Sequence, residues 1–124
     1  MPRFSNRSRT RLESCEQTLQ DIMNEAIKEI DFSILEGHRT LERQYELYLQ
    51  GKSQIDGKRK MGKHNYTPSK AVDIVPYPID WNDLERFKQL AVIIKRIAKE
   101  KNIKITHGGD WKTLRDYPHY QLEK

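Results

Sequence analysis

The segment AVDIVP, residues 71–76, places a single carboxylate inside an otherwise apolar run. A short run of this kind, rich in β-branched residues, is typical of a strand that is buried on both faces. Burial of a carboxylate costs free energy unless the group pairs with a cation or binds a metal. The run therefore predicts a central β-strand with Asp73 as an ion-paired residue or as a metal ligand, and Asp73 alone does not favour either interpretation.

Upstream of this strand, the sequence predicts a basic N-terminal arm, a long helix, a strand and a second helix. Residues 1–11 carry four arginines and few apolar groups, so we expect an arm that lies on the domain or extends into solvent. Apolar residues at steps of three and four predict a helix over 12–30. A short strand over 32–36 follows, and then a helix that begins after an N-cap at Thr40 and ends at Gly51.

Downstream, a helix and two strands complete the predicted domain. The strand is preceded by a long basic loop over 51–70, and loops of this length inside a small domain usually carry function. After the strand, Asp80 or Asn82 is positioned to cap a helix with a strong apolar stripe and a lysine-rich end. The alternation at 103–105 and the closing residues 118–122 predict two further short strands.

Length and composition limit the classes of protein that need consideration. A chain of 124 residues is expected to form a single domain over 1–124, and the periodic apolar runs favour a folded chain over disorder. Cys15 is the only cysteine, which excludes an internal disulfide and a multi-cysteine zinc site. The net charge of +5 and the pI near 9.3 indicate a polyanionic partner, which nucleic acid, a membrane surface or a bacterial wall would satisfy.

No apolar run reaches the length that a membrane span needs, and the first residues lack the apolar core of a signal peptide. We therefore expect a protein that is made in the cytoplasm, and any export to depend on something outside this sequence.

Two histidines join Asp73 as candidate metal ligands. His64 lies in the loop GKHNYTPSK, where a role in core packing is improbable but an exposed surface histidine is an ordinary alternative. His119 follows a proline and begins the last predicted strand. Two imidazoles and one carboxylate form a three-ligand set, which leaves a fourth position open, as catalytic zinc requires.

Four further residues are candidates for a role at such a site. Asp116 precedes His119 by three residues, which suits a general base, although a turn-capping aspartate is a common alternative. Arg39 lies at a strand-to-helix junction, where it could bind a carboxylate or an oxyanion, or serve only in a structural ion pair. His107 and Asp110 flank two glycines. We expect Asp110 at most to orient a ligand and His107 to be a non-ligand.

Several segments taken together resemble the LAS group of zinc peptidases (lysostaphin, D-alanyl-D-alanine peptidases, hedgehog). The closest resemblance is to its M15 branch of D-alanyl-D-alanine carboxypeptidases and phage L-alanyl-D-glutamate endopeptidases. Two departures from the commonest pattern of the branch are a wider spacing between the first histidine and the aspartate, and a serine where glycine is frequent. The matching segments cover most of the chain and are EGHRT at 36–40 with Arg43-Gln44, Lys63-His64, AVDIVPY at 71–77, GGDW at 108–111 and DYPH at 116–119.

The resemblance implies an α+β fold like that of hedgehog and the D-alanyl-D-alanine peptidases, with a small, mainly antiparallel sheet. Zinc would lie on one face of that sheet, and helices would pack against the other face. The resemblance also implies residue roles: His64, Asp73 and His119 would bind Zn²⁺, Asp116 would be the catalytic base, and Arg39 would contact the substrate.

The implied activity is hydrolysis of a peptide bond in peptidoglycan stem peptides by a phage or prophage lysin. The L-alanyl-D-glutamate bond is the first choice and D-alanyl-D-alanine the second. We expect a monomer that reaches the anionic cell wall after release and adsorbs there through its basic charge. A non-catalytic module that binds the wall or nucleic acid is the alternative, but only Tyr66 lies near the basic cluster, which disfavours nucleic acid. A metal-bound domain without turnover would be expected to lack the acid at 116.

Overall fold

The computed structural model describes residues 2–123, which form four α-helices, four β-strands and two short 3-10 turns. In chain order the elements are α1 (Asn6–Glu13), α2 (Gln17–Ala26), β1 (Phe32–Glu36), α3 (Leu41–Leu49), the turn Lys63–Asn65, β2 (Ala71–Pro76), α4 (Leu84–Glu100), β3 (Ile105–His107), the turn Gly108–Asp110 and β4 (His119–Leu122).

The four strands form one antiparallel sheet in the order β1-β2-β4-β3. The segment 71–76 is therefore a central strand, as its apolar sequence predicts. Because successive side chains of a strand point to opposite faces, Val72 and Ile74 enter the core while Asp73 points to the other face. The register that pairs Asp73 with His119 places both side chains side by side.

The core lies between one face of the sheet and the helices α2 and α4. Fully burying one large apolar side chain stabilises the fold by about 1.5–3 kcal/mol, so a cluster of this size is what holds the layers together. The predicted α+β fold, with a small antiparallel sheet and helices packed on one face, is confirmed. The largest core side chains from the helices and the sheet are Leu19, Ile22, Met23, Leu90, Ile94, Phe32, Ile34, Val72, Ile74, Tyr120 and Leu122.

The single helix predicted over 12–30 is wrong, because the chain leaves the helical path between α1 and α2. Ser14 accepts a backbone hydrogen bond from Ser69, and the Ser69 carbonyl accepts one from Glu16. These two bonds form a parallel bridge between Cys15 and Ser69, which pulls the chain out of the helix. Apolar periodicity continues across the break, since both helices face the same core, and so the sequence alone does not reveal it.

The basic N-terminal arm also differs from the prediction, since it is helical from Asn6 and not an irregular segment. The Ser5 hydroxyl caps α1 by accepting from the backbone N–H of Ser8. The helix lies on the domain, which was one of the two expected placements. The Phe4 ring anchors it, with its centroid 5.2 Å from that of Phe32, and the Ser8 hydroxyl oxygen accepts a hydrogen bond from the Ile34 N–H of β1 at 3.0 Å.

Two element boundaries lie elsewhere than predicted. The N-cap of α4 is Asp83, whose side chain accepts from the Arg86 N–H, whereas Asp80 accepts from the Asn82 N–H in the preceding turn. Strand β3 begins two residues later than predicted because the Ile103 N–H is used to end α4, where it donates to the Ala98 carbonyl.

Candidate metal centre

Three side chains from separate parts of the chain converge on the open face of the sheet. Asp73 Oδ1 lies 3.2 Å from His64 Nε2 and 3.1 Å from His119 Nδ1. One ligand atom from each of the three residues lies within 4.8 Å of the other two. Strands β2 and β4 supply Asp73 and His119 through their register, and the 3-10 turn supplies His64. The structure therefore brings together the three residues that the sequence singled out as ligands.

Both imidazoles are oriented through the nitrogen that faces away from Asp73. His64 Nδ1 lies 2.7 Å from the Gly37 carbonyl oxygen, and His119 Nε2 lies 2.8 Å from Gln121 Oε1. Both oxygens can only accept, so each of these nitrogens carries the proton and donates it. The nitrogens that face Asp73 are then unprotonated in the neutral rings, which is the state that a metal ligand requires.

The charges of the cluster favour a bound cation. Burial alone would raise the pKa of Asp73, but when the rings are protonated and no metal is bound, hydrogen bonds from His119 and His64 and their positive charge outweigh burial and hold that pKa far below its usual value. Burial opposes a charged His119, yet the bond to Asp73 raises its pKa above the usual value. The ionised carboxylate thus stabilises positive charge between the rings. Two imidazole nitrogens and one carboxylate oxygen are a donor set of catalytic zinc, and the residues present fit that metal.

The wide spacing between His64 and Asp73 does not displace the ligands, because the intervening chain is anchored at both ends. The Lys70 N–H donates to the Lys63 carbonyl at 2.9 Å, which closes the loop behind the 3-10 turn. Ser69, which stands where relatives often have glycine, is fully buried, and its hydroxyl donates to the Ala71 carbonyl at 2.7 Å. The extra length therefore lies in a loop that these hydrogen bonds anchor, and the three ligand atoms still converge within 4.8 Å.

Asp116 lies half-buried beside this cluster, in the turn that leads into β4. Its backbone N–H donates to the Gly108 carbonyl at 3.0 Å, and its carbonyl accepts from the His119 N–H at 3.1 Å. Burial and then the negative charge of Asp73 raise the pKa of the Asp116 carboxyl, while His119, His64 and Arg39 act in the opposite direction. The ionised Asp116 carboxylate only accepts hydrogen bonds, and its two oxygens offer sites for a water or a ligand.

Arg39 is held at the edge of the same cluster. Its Nε and Nη2 both donate to Glu36 Oε1, its Nη1 donates to Gln44 Oε1 at 2.9 Å, and its Nη2 lies 3.8 Å from Asp73 Oδ2. A guanidinium has five N–H donors, so these bonds fix the plane of the group and still leave donors available. The sequence left a structural ion pair and a place at the site as alternative roles for Arg39. In the structure Arg39 both pairs with Glu36 and lies beside the cluster.

The other two candidates take no part in the cluster. Asp110 forms an ion pair with Lys95 of α4 at 2.6 Å and bonds to none of the three ligands, so the expectation that it orients a ligand does not match the structure. His107 donates from Nε2 to the Tyr117 carbonyl at 2.8 Å and stacks on the Tyr120 ring, and burial lowers its pKa. The expectation that His107 is a non-ligand agrees with this placement.

Sequence reasoning missed the residues that support the site. Gln121 orients His119, and since residues two apart on a strand share a face, the spacing from His119 was a usable signal. Glu36 and Gln44 fix Arg39, and the Gly37 carbonyl orients His64, but these roles depend on long-range geometry that no local pattern shows.

Two further observations concern the reactivity of Cys15 and the length of the helices. Burial raises the pKa of the Cys15 thiol to about 12, so this cysteine is not a nucleophile. No helix in the described part of the chain is both long and apolar enough to cross a membrane.

Comparisons with known proteins agree with this site. A family model described as phage L-alanyl-D-glutamate peptidase matches residues 1–123. The L-alanyl-D-glutamate peptidase of Escherichia phage T5 is 30% identical over 120 residues, which cover 93% of this chain and 85% of the phage protein. The peptidoglycan L-alanyl-D-glutamate endopeptidase CwlK of Bacillus subtilis (strain 168) is 30% identical over 108 residues, which cover 78% of this chain and 64% of that protein.

A solved structure, the L-Ala D-Glu endopeptidase ChiX of Serratia marcescens, matches with a TM-score of 0.81 and 34% identity and covers 96% of this chain and 88% of its own. The resemblance read from the sequence segments is thus confirmed across nearly the whole chain. On the evidence of its sequence, its fold and the family model, the chain belongs to the phage L-alanyl-D-glutamate peptidase family of peptidoglycan endopeptidases.

Proposed function

We propose that this protein hydrolyses the L-alanyl-D-glutamate bond of peptidoglycan stem peptides and that zinc is held by His64, Asp73 and His119. The observation that carries the proposal is the convergence of three ligand atoms within 4.8 Å beside the half-buried carboxylate of Asp116. The activities for which the relatives are named support this bond over D-alanyl-D-alanine.

The residues around the centre suit hydrolysis by water. Zinc at the three ligands would supply a Lewis acid that polarises the amide carbonyl and acidifies water. Asp116 accepts the proton of the attacking water, since its raised pKa makes the ionised carboxylate a better base than that of an ordinary aspartate. Asp116 then returns that proton to the departing amine of the glutamate residue. The peptide bond is cleaved without a covalent intermediate on the protein.

Arg39 positions the substrate in this proposal. Glu36 and Gln44 hold the guanidinium plane, and the N–H groups that these two residues do not use can donate to a substrate carboxylate or to the carbonyl oxygen as it gains charge. Because the side chain is only 13% exposed, such a bond forms where water competes weakly.

The proposed site of action is the bacterial cell wall. The phage relative is named for the same activity, and the net charge of +5 favours adsorption to an anionic wall. Adsorption by charge is non-directional, so it concentrates the enzyme on its substrate without specifying the bond.

Defined muropeptides test the proposal. The zinc-loaded protein should convert a disaccharide carrying a stem peptide into a disaccharide that retains L-alanine and a free peptide that begins with D-glutamate. Mass spectrometry distinguishes these products from free D-alanine, which the second-choice activity would release. Sedimentation with the wall but no product of either kind would instead support the non-catalytic binding module, and Asp116→Asn serves as the inactive control.

A further inference from the structure

The segment 77–84, which comprises the loop between β2 and α4 and the first residue of α4, concentrates exposed apolar side chains. Four of its eight residues are large and apolar, and each is exposed by two fifths or more of its surface. Scattered exposed apolar residues need no explanation, but a contiguous group of them marks a binding surface. The four are Tyr77, Ile79, Trp81 and Leu84.

This β2–α4 loop has a fixed shape. Arg86 donates from Nη1 to the Pro78 carbonyl, and Asp80 accepts from the Asn82 N–H at 3.0 Å. The Trp81 ring stacks on Phe87 with 5.8 Å between centroids and 27° between planes, although Trp81 is 54% exposed. One face of the indole is therefore held by the protein while much of its surface remains open to a ligand, which reduces the entropy lost on binding.

The β2–α4 loop is continuous with the metal centre. Tyr77 lies four residues beyond Asp73, about 13 Å along a strand. A second connection runs through the aromatic rings, because Phe87, which supports Trp81, lies 6.4 Å from the Tyr117 ring. Tyr117 directly follows Asp116. A ligand that spans from the metal centre toward the end of β2 therefore reaches the exposed rings.

The charge of the β2–α4 loop narrows the class of ligand. Residues 77–85 include Asp80, Asp83 and Glu85 but no lysine or arginine, whereas the chain as a whole has a net charge of +5. The two bases that follow are already engaged, because Arg86 donates to the Pro78 carbonyl and Lys88 pairs with Glu85 at 3.7 Å. Over residues 77–88 the acids outnumber the bases by three to two, which disfavours nucleic acid, phosphate-rich wall polymers and anionic membranes as ligands. Carboxylates can accept hydrogen bonds from hydroxyl and amide groups, and aromatic faces pack against apolar surface. A neutral, polyhydroxylated ring with an apolar face satisfies both features.

We propose that the β2–α4 loop binds the glycan strand of peptidoglycan, with Tyr77 and Trp81 packing against its N-acetylated amino sugars. The inference rests on the proposed function. In peptidoglycan the stem peptide is joined to the sugar through its L-alanine, so the sugar is one residue away from the bond that is cut. When that bond lies at the metal centre, a glycan that continues toward the end of β2 comes within reach of the loop. Binding there makes the enzyme prefer stem peptides that are still attached to glycan.

Two soluble substrates with the same stem peptide test the inference, one attached to a short glycan strand and one free. Tyr77→Ala and Trp81→Ala should raise KM for the glycan-linked substrate about five- to ten-fold and change kcat/KM for the free peptide less than about two-fold. Tyr48→Ala is the matched control, since Tyr48 is an exposed tyrosine on α3, at 43%, outside the loop. Melting temperatures are measured for all variants. Should Trp81→Ala unfold because it loses the Phe87 stack, Tyr77→Ala still decides the result.

A direct binding measurement separates the remaining outcomes. Glycan strands stripped of stem peptides should perturb tryptophan fluorescence in the wild type and much less in Trp81→Ala. Equal activity losses on both substrates, or binding of stripped glycan unaffected by either variant, would overturn the inference and leave the peptidase activity standing. A dimer that Tyr77→Ala dissociates would assign the loop to a second copy of the chain and equally overturn it. If the wild type cleaves neither substrate, the proposed function itself fails.

Discussion

Replacing Gln121 by methionine should weaken zinc binding without disturbing the fold. Gln121 Oε1 accepts the N–H of His119 at 2.8 Å, and His119 is only 7% exposed. Methionine keeps the length of the side chain but leaves that buried N–H without a partner. An unsatisfied buried donor costs about 1–3 kcal/mol, and loss of a group that orients a metal ligand weakens affinity by about 10- to 100-fold. The two figures agree, because a ten-fold change in zinc affinity corresponds to about 1.4 kcal/mol.

Zinc affinity of the Gln121→Met variant is measured by competition with a chromogenic chelator. Gln89→Met is the matched control, since Gln89 is exposed on α4 and the same substitution there should leave the zinc Kd unchanged. Gln121→Glu adds a comparison, because a carboxylate still accepts from His119 and should retain or strengthen binding. A zinc Kd for Gln121→Met within about two-fold of wild type, with the melting temperature preserved, would refute the argument that this bond holds His119 in its ligand orientation.

Three further predictions concern the proposed site. His64→Ala, Asp73→Ala and His119→Ala should each lose most of the bound zinc, and a full zinc equivalent in metal analysis of any one variant would exclude that residue as a ligand. Asp116→Asn should keep zinc and fold but lose about 10²- to 10⁴-fold in rate. Because the pKa of Asp116 is raised, the activity of the wild type should fall on acidification at a higher pH than an ordinary aspartate would give. A pH-rate profile of the wild type checks this. Arg39→Lys should reduce kcat/KM far more than the melting temperature, and a variant that melts early with normal specific activity would assign Arg39 to structure alone.

Local sequence patterns were sufficient for the central strand and for α4, because each is defined by apolar residues with a clear period. They were insufficient between α1 and α2. Both helices present apolar residues to the same core, so the period runs through a break that is caused by Ser69, a residue far away in sequence. Boundaries such as the start of β3 were displaced for a similar reason, since the Ile103 N–H completes the end of α4.

At the site, the chemistry of the residues was predictable and their support was not. The unusual carboxylate in an apolar strand drew attention to Asp73, the sequence context of His64 and His119 made them candidate ligands, and the family resemblance implied the same roles. Asp110 was misjudged because its neighbour in space, Lys95, lies on a helix whose angle to the turn is set by packing. Sequence reasoning missed Gln121. Strand alternation would have indicated that it orients His119, but only with the knowledge that His119 lies on the open face of the sheet.

The junction between α1 and α2 has a consequence for protein engineering. The Ser14 hydroxyl accepts from the His38 N–H at 2.8 Å, next to the segment that carries Arg39, and the Ser14 carbonyl binds the loop that delivers His64. Gly37, at the same place, has no room for a side chain. The junction that follows the first helix therefore helps to hold the segments that carry Arg39 and His64 at the proposed zinc site. Targeting modules are best fused ahead of residue 4, since truncation into α1 would reduce metal affinity as well as stability.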